Sequence, residues 1–185
     1  RPKVLLLDEP LSALDKKLRE AMQVELRHLQ QTVGITFVLV THDQEEAVEI
    51  SDKIALVLNG ELEQFDQPEN FFKKPINMKT ARFFGCKNFI NGISKNNKFM
   101  SSIGEFYLPK DLPSNSGFLI LRPENIQIGK DDKNINTMKV KVIEKIFLGK
   151  QTKLKLAIKD DIFEAMLNPN EAKNLIEGND IYVNI

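Results

Sequence analysis

The chain has 185 residues, 42% hydrophobic and 28% charged, enough for one large or two small domains with real cores. Lys plus Arg and Asp plus Glu both number 26, so the net charge is zero and gives no footprint for nucleic acid or anionic lipid. The longest apolar runs fall far short of the roughly 18 residues of a membrane span, no signal peptide precedes the first motif, and the single cysteine, Cys86, excludes an internal disulfide and fits a reducing compartment.

The first element is an apolar run, Val4–Leu7, read as a buried parallel strand, with Asp8 and Glu9 at its carboxyl end. That end of an α/β sheet is where ligands bind. A helix follows, with Leu14, Leu18, Met22, Leu26 and Leu29 on one stripe and Lys16, Lys17, Arg19, Glu20 and Arg27 largely off it. Gly34 is its expected C-cap. A second strand, Ile35–Val40, runs into Thr41-His42-Asp43, and a short helix spans Gln44–Ile50. The strand Lys53–Leu58 turns at Asn59-Gly60, a strong hairpin signal, into Glu61–Phe65. Helical segments around Glu69–Lys73 and Met78–Phe84 follow, punctuated by Pro68 and Pro75.

From Lys87 onward the texture changes to short strands broken by turn residues. Val140 and Val142 alternate with Lys139 and Lys141, and Leu154, Leu156 and Ile158 with Lys153, Lys155 and Lys159. This spacing predicts a small antiparallel barrel or sandwich, with the domain boundary near Gly85–Lys87. Cys86 reads as an inert, small apolar residue, and His28 as a solvated residue on its helix.

A strand–helix–strand crossover makes the first two strands parallel, so their tips share one edge. As neighbours they lie about 5 Å apart. Asp8, Glu9 and His42 then converge on one ligand, and each residue type suits phosphate chemistry. Asp8 is a hard oxygen donor for Mg²⁺, directly or through water. Glu9 can orient or deprotonate a water, and His42 can hydrogen-bond a terminal phosphate oxygen. Ser12 and Asp15 also suit the capping of the first helix.

Val4–Pro10 resembles the Walker B segment of ABC transporter ATPases, Leu11-Ser12-Ala13-Leu14-Asp15 their D-loop, and Thr41–Ala47 their switch-histidine segment. Leu121-Arg122-Pro123-Glu124-Asn125-Ile126 and Ile146-Phe147-Leu148-Gly149 resemble the TOBE accessory domain of importer ATPases. The resemblance implies an α/β chain: residues 1–86 as the carboxyl-terminal part of a P-loop NTPase parallel-sheet domain, and 87–185 as a small antiparallel β-barrel of OB or TOBE type. It implies Glu9 as catalytic base, His42 as sensor of the γ-phosphate, and Asp8 as support for Mg²⁺. Ser12 and Asp15 would connect the halves of an ATP-closed dimer. ATP and Mg²⁺ are the implied cofactors. The implied partners are a second copy, membrane-spanning permease subunits and, indirectly, an extracytoplasmic solute-binding protein, with no nucleic acid. The implied place is cytoplasmic, peripheral on the inner face of the membrane.

The departures from that family are large. No Gly-x-x-x-x-Gly-Lys-Ser/Thr phosphate loop occurs, nor the Leu-Ser-Gly-Gly-Gln signature, nor the glutamine loop. The chain begins without Met, directly on a motif, and is expected to be a piece of something longer and inactive alone. In the family the strand leading into Thr41–Asp43 lies between the Walker B and phosphate-loop strands, so an unpaired apolar edge is expected at the second strand. Two other functions compete with an importer motor. One is a solute-sensing or dimerisation β-module carrying a non-catalytic ATPase remnant. The other is a soluble ABC ATPase of repair or translation, disfavoured by the β-domain and the neutral charge. For the solute, Leu29–Ala47 resembles polyamine importers and Ala81–Asn88 oxyanion importers, with a slight lean to oxyanion.

Overall fold

Parallel pairing joins β1 (Val4–Asp8) to β2 (Thr36–Val40), from Val4 opposite Thr36 to Asp8 opposite Val40. The crossover that a parallel pair requires is α1 (Lys16–Val33). The structure is a computed structural model and describes residues 2–109, 112–130 and 135–185. Asp15 is the N-cap of α1, its carboxylate accepting from the amides of Lys17 and Leu18, and Gly34 closes the helix at φ 67°. Leu14, expected on the helical stripe, therefore lies before the helix, because the carboxylate cap fixes the start after it.

The strand pair is not buried as its apolar run predicts. Leu5, Leu7, Phe37 and Leu39 are half-buried on one face, while Val4, Leu6, Val38 and Val40 stand exposed on the other. Leu6 is 74% exposed, and Leu18, Met22 and Leu29 of the α1 stripe are exposed as well. A run apolar at every position signals two covered faces, and among the described residues only one is covered. The sheet holds β1 and β2 alone among the described residues, so β2 carries an unpaired apolar edge.

After α2 (Gln44–Ile50) comes the hairpin of β3 (Ile54–Leu58) and β4 (Glu61–Asp66), with Leu58 opposite Glu61. Asn59 and Gly60 take φ 54° and 81°, the two positive values that a two-residue turn with the right twist demands. Ile54 and Leu56 pack with Phe71 of α3 (Pro68–Lys73) and with Phe84, which follows α4 (Met78–Phe83). The Phe71 and Phe84 rings stack at 4.8 Å, tilted.

The chain divides into two compact units, Arg1–Phe84 and Gly85–Ile185. The second unit is antiparallel throughout. One sheet runs β7 (Gly104–Tyr107), β6 (Lys98–Ser101), β5 (Asn88–Lys95), β8 (Asn115–Leu121). The other runs β12 (Asp161–Leu167), β11 (Thr152–Ile158), β10 (Thr137–Phe147), β13 (Asp180–Asn184), β9 (Gln127–Gly129). A short helix, α5 (Pro169–Ala172), joins β12 to the last strand's approach. The two sheets share one core: Ile90, Phe99 and Leu121 from the first sheet with Val140, Val142, Leu154, Leu156, Phe163 and Val183 from the second. The alternation expected of a two-faced strand holds, with those valines and leucines buried and Lys139 and Lys155 outward, paired to Asp180 at 3.1 Å and Glu144 at 2.6 Å. Among the described residues the ladders form two sheets around one core, in keeping with the expected small antiparallel barrel or sandwich.

Cys86 is buried, its thiol donating to the Leu121 carbonyl at 3.5 Å, and burial pushes its pKa up. The thiolate that reacts with alkylating reagents is thereby disfavoured. Cys86 is expected to resist a maleimide in the native chain and to react fully in denaturant. Native labelling at the rate of a free thiol would show that this part of the core is open.

Candidate active site

At the carboxyl ends of β1 and β2 the chain sets two charged segments side by side. The parallel ladder runs one step past β1, the Glu9 amide donating to the Val40 carbonyl at 2.8 Å. Glu9 then turns sharply, with φ 43°, a left-handed conformation costly for a residue with a β-carbon. Ser12 secures the turn: its amide and hydroxyl donate to the Glu9 carbonyl at 3.3 and 2.9 Å. Leu11 beside it is buried, so the turn is anchored by an apolar plug on one side and a serine clip on the other.

Across the tips, His42 Nδ1 donates to Glu9 Oε1 at 3.1 Å, since an ionised carboxylate only accepts. Nε2 is then the ring's remaining polar atom, a donor when the ring is protonated. The pair is open to solvent, with side-chain exposures of 74% for His42 and 47% for Glu9. Asp8 is exposed at the end of β1, one residue before Glu9 and opposite Val40. Asp15 spends one carboxylate oxygen on the α1 cap, at 3.0 and 3.1 Å. Asp8, Glu9 and His42 thus share one rim, and Ser12 and Asp15 lie on the loop leaving it. His28 is an exposed α1 residue.

Beneath the rim lies a network that the sequence did not signal. Thr41 Oγ1 donates to Glu46 Oε2 at 2.6 Å, and the Asp43 amide donates to Thr41 Oγ1 at 3.0 Å. Asp43 caps α2, accepting from the amides of Glu45 and Glu46 at 2.8 and 3.2 Å. Arg19 of α1 donates to Asp43 Oδ2 at 3.2 Å. An arginine on a charged helix face reads as solvated, and its two acidic partners, Asp43 and Glu46, are 24 residues away or more. The one signal available was the Asp-x-Glu-Glu run itself, an N-cap followed by first-turn acids.

A lone exposed Asp8 fits Mg²⁺, which commonly takes one or two carboxylates and completes its shell with water and phosphate oxygens. Among the described residues no three His, Cys, Asp or Glu side chains are grouped to hold a metal by themselves.

No family model matches the chain. It is 39% identical over 170 residues to the spermidine/putrescine import ATP-binding protein PotA of Mesomycoplasma hyopneumoniae, covering 90% of this chain and 38% of that one. It is 40% identical over 192 residues to the protein of the same name from Thermobifida fusca, covering 97% of this chain and 50% of that one. A solved structure of the cytoplasmic molybdate-binding protein ModG aligns at TM-score 0.40 and 8% identity over 54% of this chain and 89% of its own, too weak a likeness to bear on function. The chain spans between 38% and 50% of the length of the curated relatives it matches.

Proposed function

We propose, for a chain that belongs through its matched residues to the ATP-binding subunits of ABC importers, that it carries the water-activating and phosphate-sensing part of such a subunit. The intact subunit couples ATP hydrolysis to solute uptake. The observation that carries this reading is the open Glu9–His42 contact at 3.1 Å on the tips of two parallel strands. An exposed pair of this kind contributes about 0–1 kcal/mol to stability. Its cost in backbone strain at Glu9 is therefore accounted for by chemistry rather than by folding.

In this mechanism Glu9 accepts the proton of the attacking water on a carboxylate oxygen. His42, with its Nδ1–H on Glu9, offers Nε2–H to a terminal phosphate oxygen when the ring is protonated. Asp8 would hold Mg²⁺, directly or through water, and the metal when bound would offset phosphate charge. Phosphoryl transfer depends on positioning and charge stabilisation more than on covalent chemistry, so these three groups suffice on this side of the nucleotide. The phosphate loop and signature are absent from this sequence, and the intact subunit and a second copy supply them. Ser12 and Asp15, on the loop after Glu9, reach toward that copy. The assembly includes permease subunits and an external solute-binding protein, with the ATPase peripheral on the inner membrane face. No described helix is long and apolar enough to cross a membrane.

The solute proposed is a polyamine, because the matched relatives are named for spermidine and putrescine. This replaces the lean to oxyanion drawn from Ala81–Asn88. In that segment Ala81, Phe84, Cys86 and Asn88 are all buried, so the resemblance reflects framework rather than solute contacts. Membrane vesicles bearing the intact importer are expected to take up labelled spermidine or putrescine only when ATP is supplied on the subunit's side. Uptake of molybdate or sulfate in place of polyamine would overturn the solute. ATP-independent uptake would overturn the motor.

A further inference from the structure

One side chain, Arg19, ties the loop that follows Glu9 to the segment that carries His42. Its Nη2 donates to the Leu14 carbonyl at 3.0 Å and its Nη1 to Asp43 Oδ2 at 3.2 Å. Its Nε lies 3.6 Å from Glu46 Oε1, an ion pair longer than a hydrogen bond. The Glu46 side chain is 2% exposed, and its other oxygen takes the Thr41 hydroxyl bond. His42 is therefore bracketed: Thr41 before it and Asp43 after it both bond to this cluster.

A carboxylate this deeply buried keeps its charge only with a partner, and Arg19 is the cation beside it. The guanidinium is a planar fork that addresses several acceptors in fixed directions, which an ammonium does not. A rigid tie matters at this position because the two residues it fixes follow different strands, and the His42 side chain is 74% exposed.

We infer that Arg19 is a positioning residue that locks the Thr41–Glu46 segment to the Glu9–Leu14 loop and so sets the His42–Glu9 geometry. The inference rests on the roles proposed for Glu9 and His42. A plain structural role, joining α1 to α2, would cost stability without moving the chemistry, and the experiment separates the two.

In the intact subunit, Arg19→Met keeps the stem and removes the fork. It is expected to lower kcat for ATP by about 10²-fold, the scale of a misplaced catalytic group, with KM within about twofold. Arg19→Lys is expected to leave kcat near the Arg19→Met level. In the 185-residue chain, the ring resonances of His42 are expected to move in Arg19→Met while those of His28, exposed on α1, stay in place. If Arg19→Met does not fold, Glu46→Gln decides, since it keeps the Thr41 bond and removes the buried charge that Arg19 holds; the same loss of kcat and movement of His42 support the tie. Native kcat with unmoved His42 resonances in the folded variant overturns the tie, even where the melting temperature falls. Full turnover by Glu9→Gln would instead overturn the catalytic reading, and the His42 resonances would still report on the tie alone.

Discussion

Replacing Glu9 by Gln in the intact subunit is expected to lower ATP turnover by about 10²–10⁴-fold, the span for losing a general base. That corresponds to roughly 3–5 kcal/mol of added barrier. The substitution isolates proton acceptance from geometry. A glutamine has the same stem, so the strained turn at φ 43° sees no new steric demand. The turn is held by backbone and by Ser12, through the Glu9 amide and carbonyl, neither of which the side chain touches. The amide oxygen of Gln can still accept from His42 Nδ1, so the contact across the tips survives. What disappears is the basic oxygen. The expected signature is therefore a fall in kcat with KM for ATP and the melting temperature nearly unchanged, measured as steady-state phosphate release. Turnover within about twofold of the native subunit would remove Glu9 from the role of base.

Local signals in the sequence reached far into this first unit. α2 spans the same Gln44–Ile50 in the structure as in the pattern because Asp43 caps it and Glu45 and Glu46 fill its first turn. The Asn59-Gly60 turn declares itself because few other pairs adopt two positive φ values. The convergence of Glu9 and His42 followed from topology alone, since a parallel crossover leaves both tips on one edge. Burial did not follow. Leu6 and Val40 are as apolar as a core strand requires and yet exposed, because period and composition report what a face can cover and not what covers it. Arg19 and Glu46 were illegible for a different reason. Each looks like an ordinary charge on a helix, and their meaning lies in a contact between segments that no local pattern encodes. The β-unit shows the same division. Lysine alternation revealed the inward Leu154 and Leu156, whereas the partition of strands into two sheets depends on pairings distant in sequence.

Asn88 is the clearest case of such a distant pairing, and its removal is expected to be the costliest single polar change in the second unit. It opens β5 in the four-stranded sheet and is 2% exposed. Its Nδ2 donates to the Glu164 carbonyl and its Oδ1 accepts from the Glu164 amide, both at 2.8 Å. Glu164 lies on β12, the edge strand of the other sheet, so it has no ladder neighbour on its outer side. The asparagine amide takes the place of that missing strand and pins the two sheets together across 76 residues of chain. Asn88→Ala leaves a backbone donor and a backbone acceptor without their partner in the protein interior. At about 1–3 kcal/mol for each of the two stranded groups, the loss is about 2–6 kcal/mol. For a unit of this size, at about 4–8 °C per kcal/mol, that lowers the melting temperature by about 8–48 °C. Asn88→Asp is expected to fare no better, since it keeps the acceptor but turns a negative oxygen toward the Glu164 carbonyl. The nearby Lys87–Glu164 ion pair, at 3.1 Å with Lys87 largely exposed, offers little to offset either loss. Asn91→Ala, at an exposed position on the same strand, should stay within about 0.5 kcal/mol of the native chain. Amide exchange gives the site-specific reading: the Glu164 N–H is expected to lose protection in Asn88→Ala ahead of its β11 neighbours. A Glu164 amide as slow as in the native chain, with an unchanged melting temperature, would show that the two sheets hold together without this bridge.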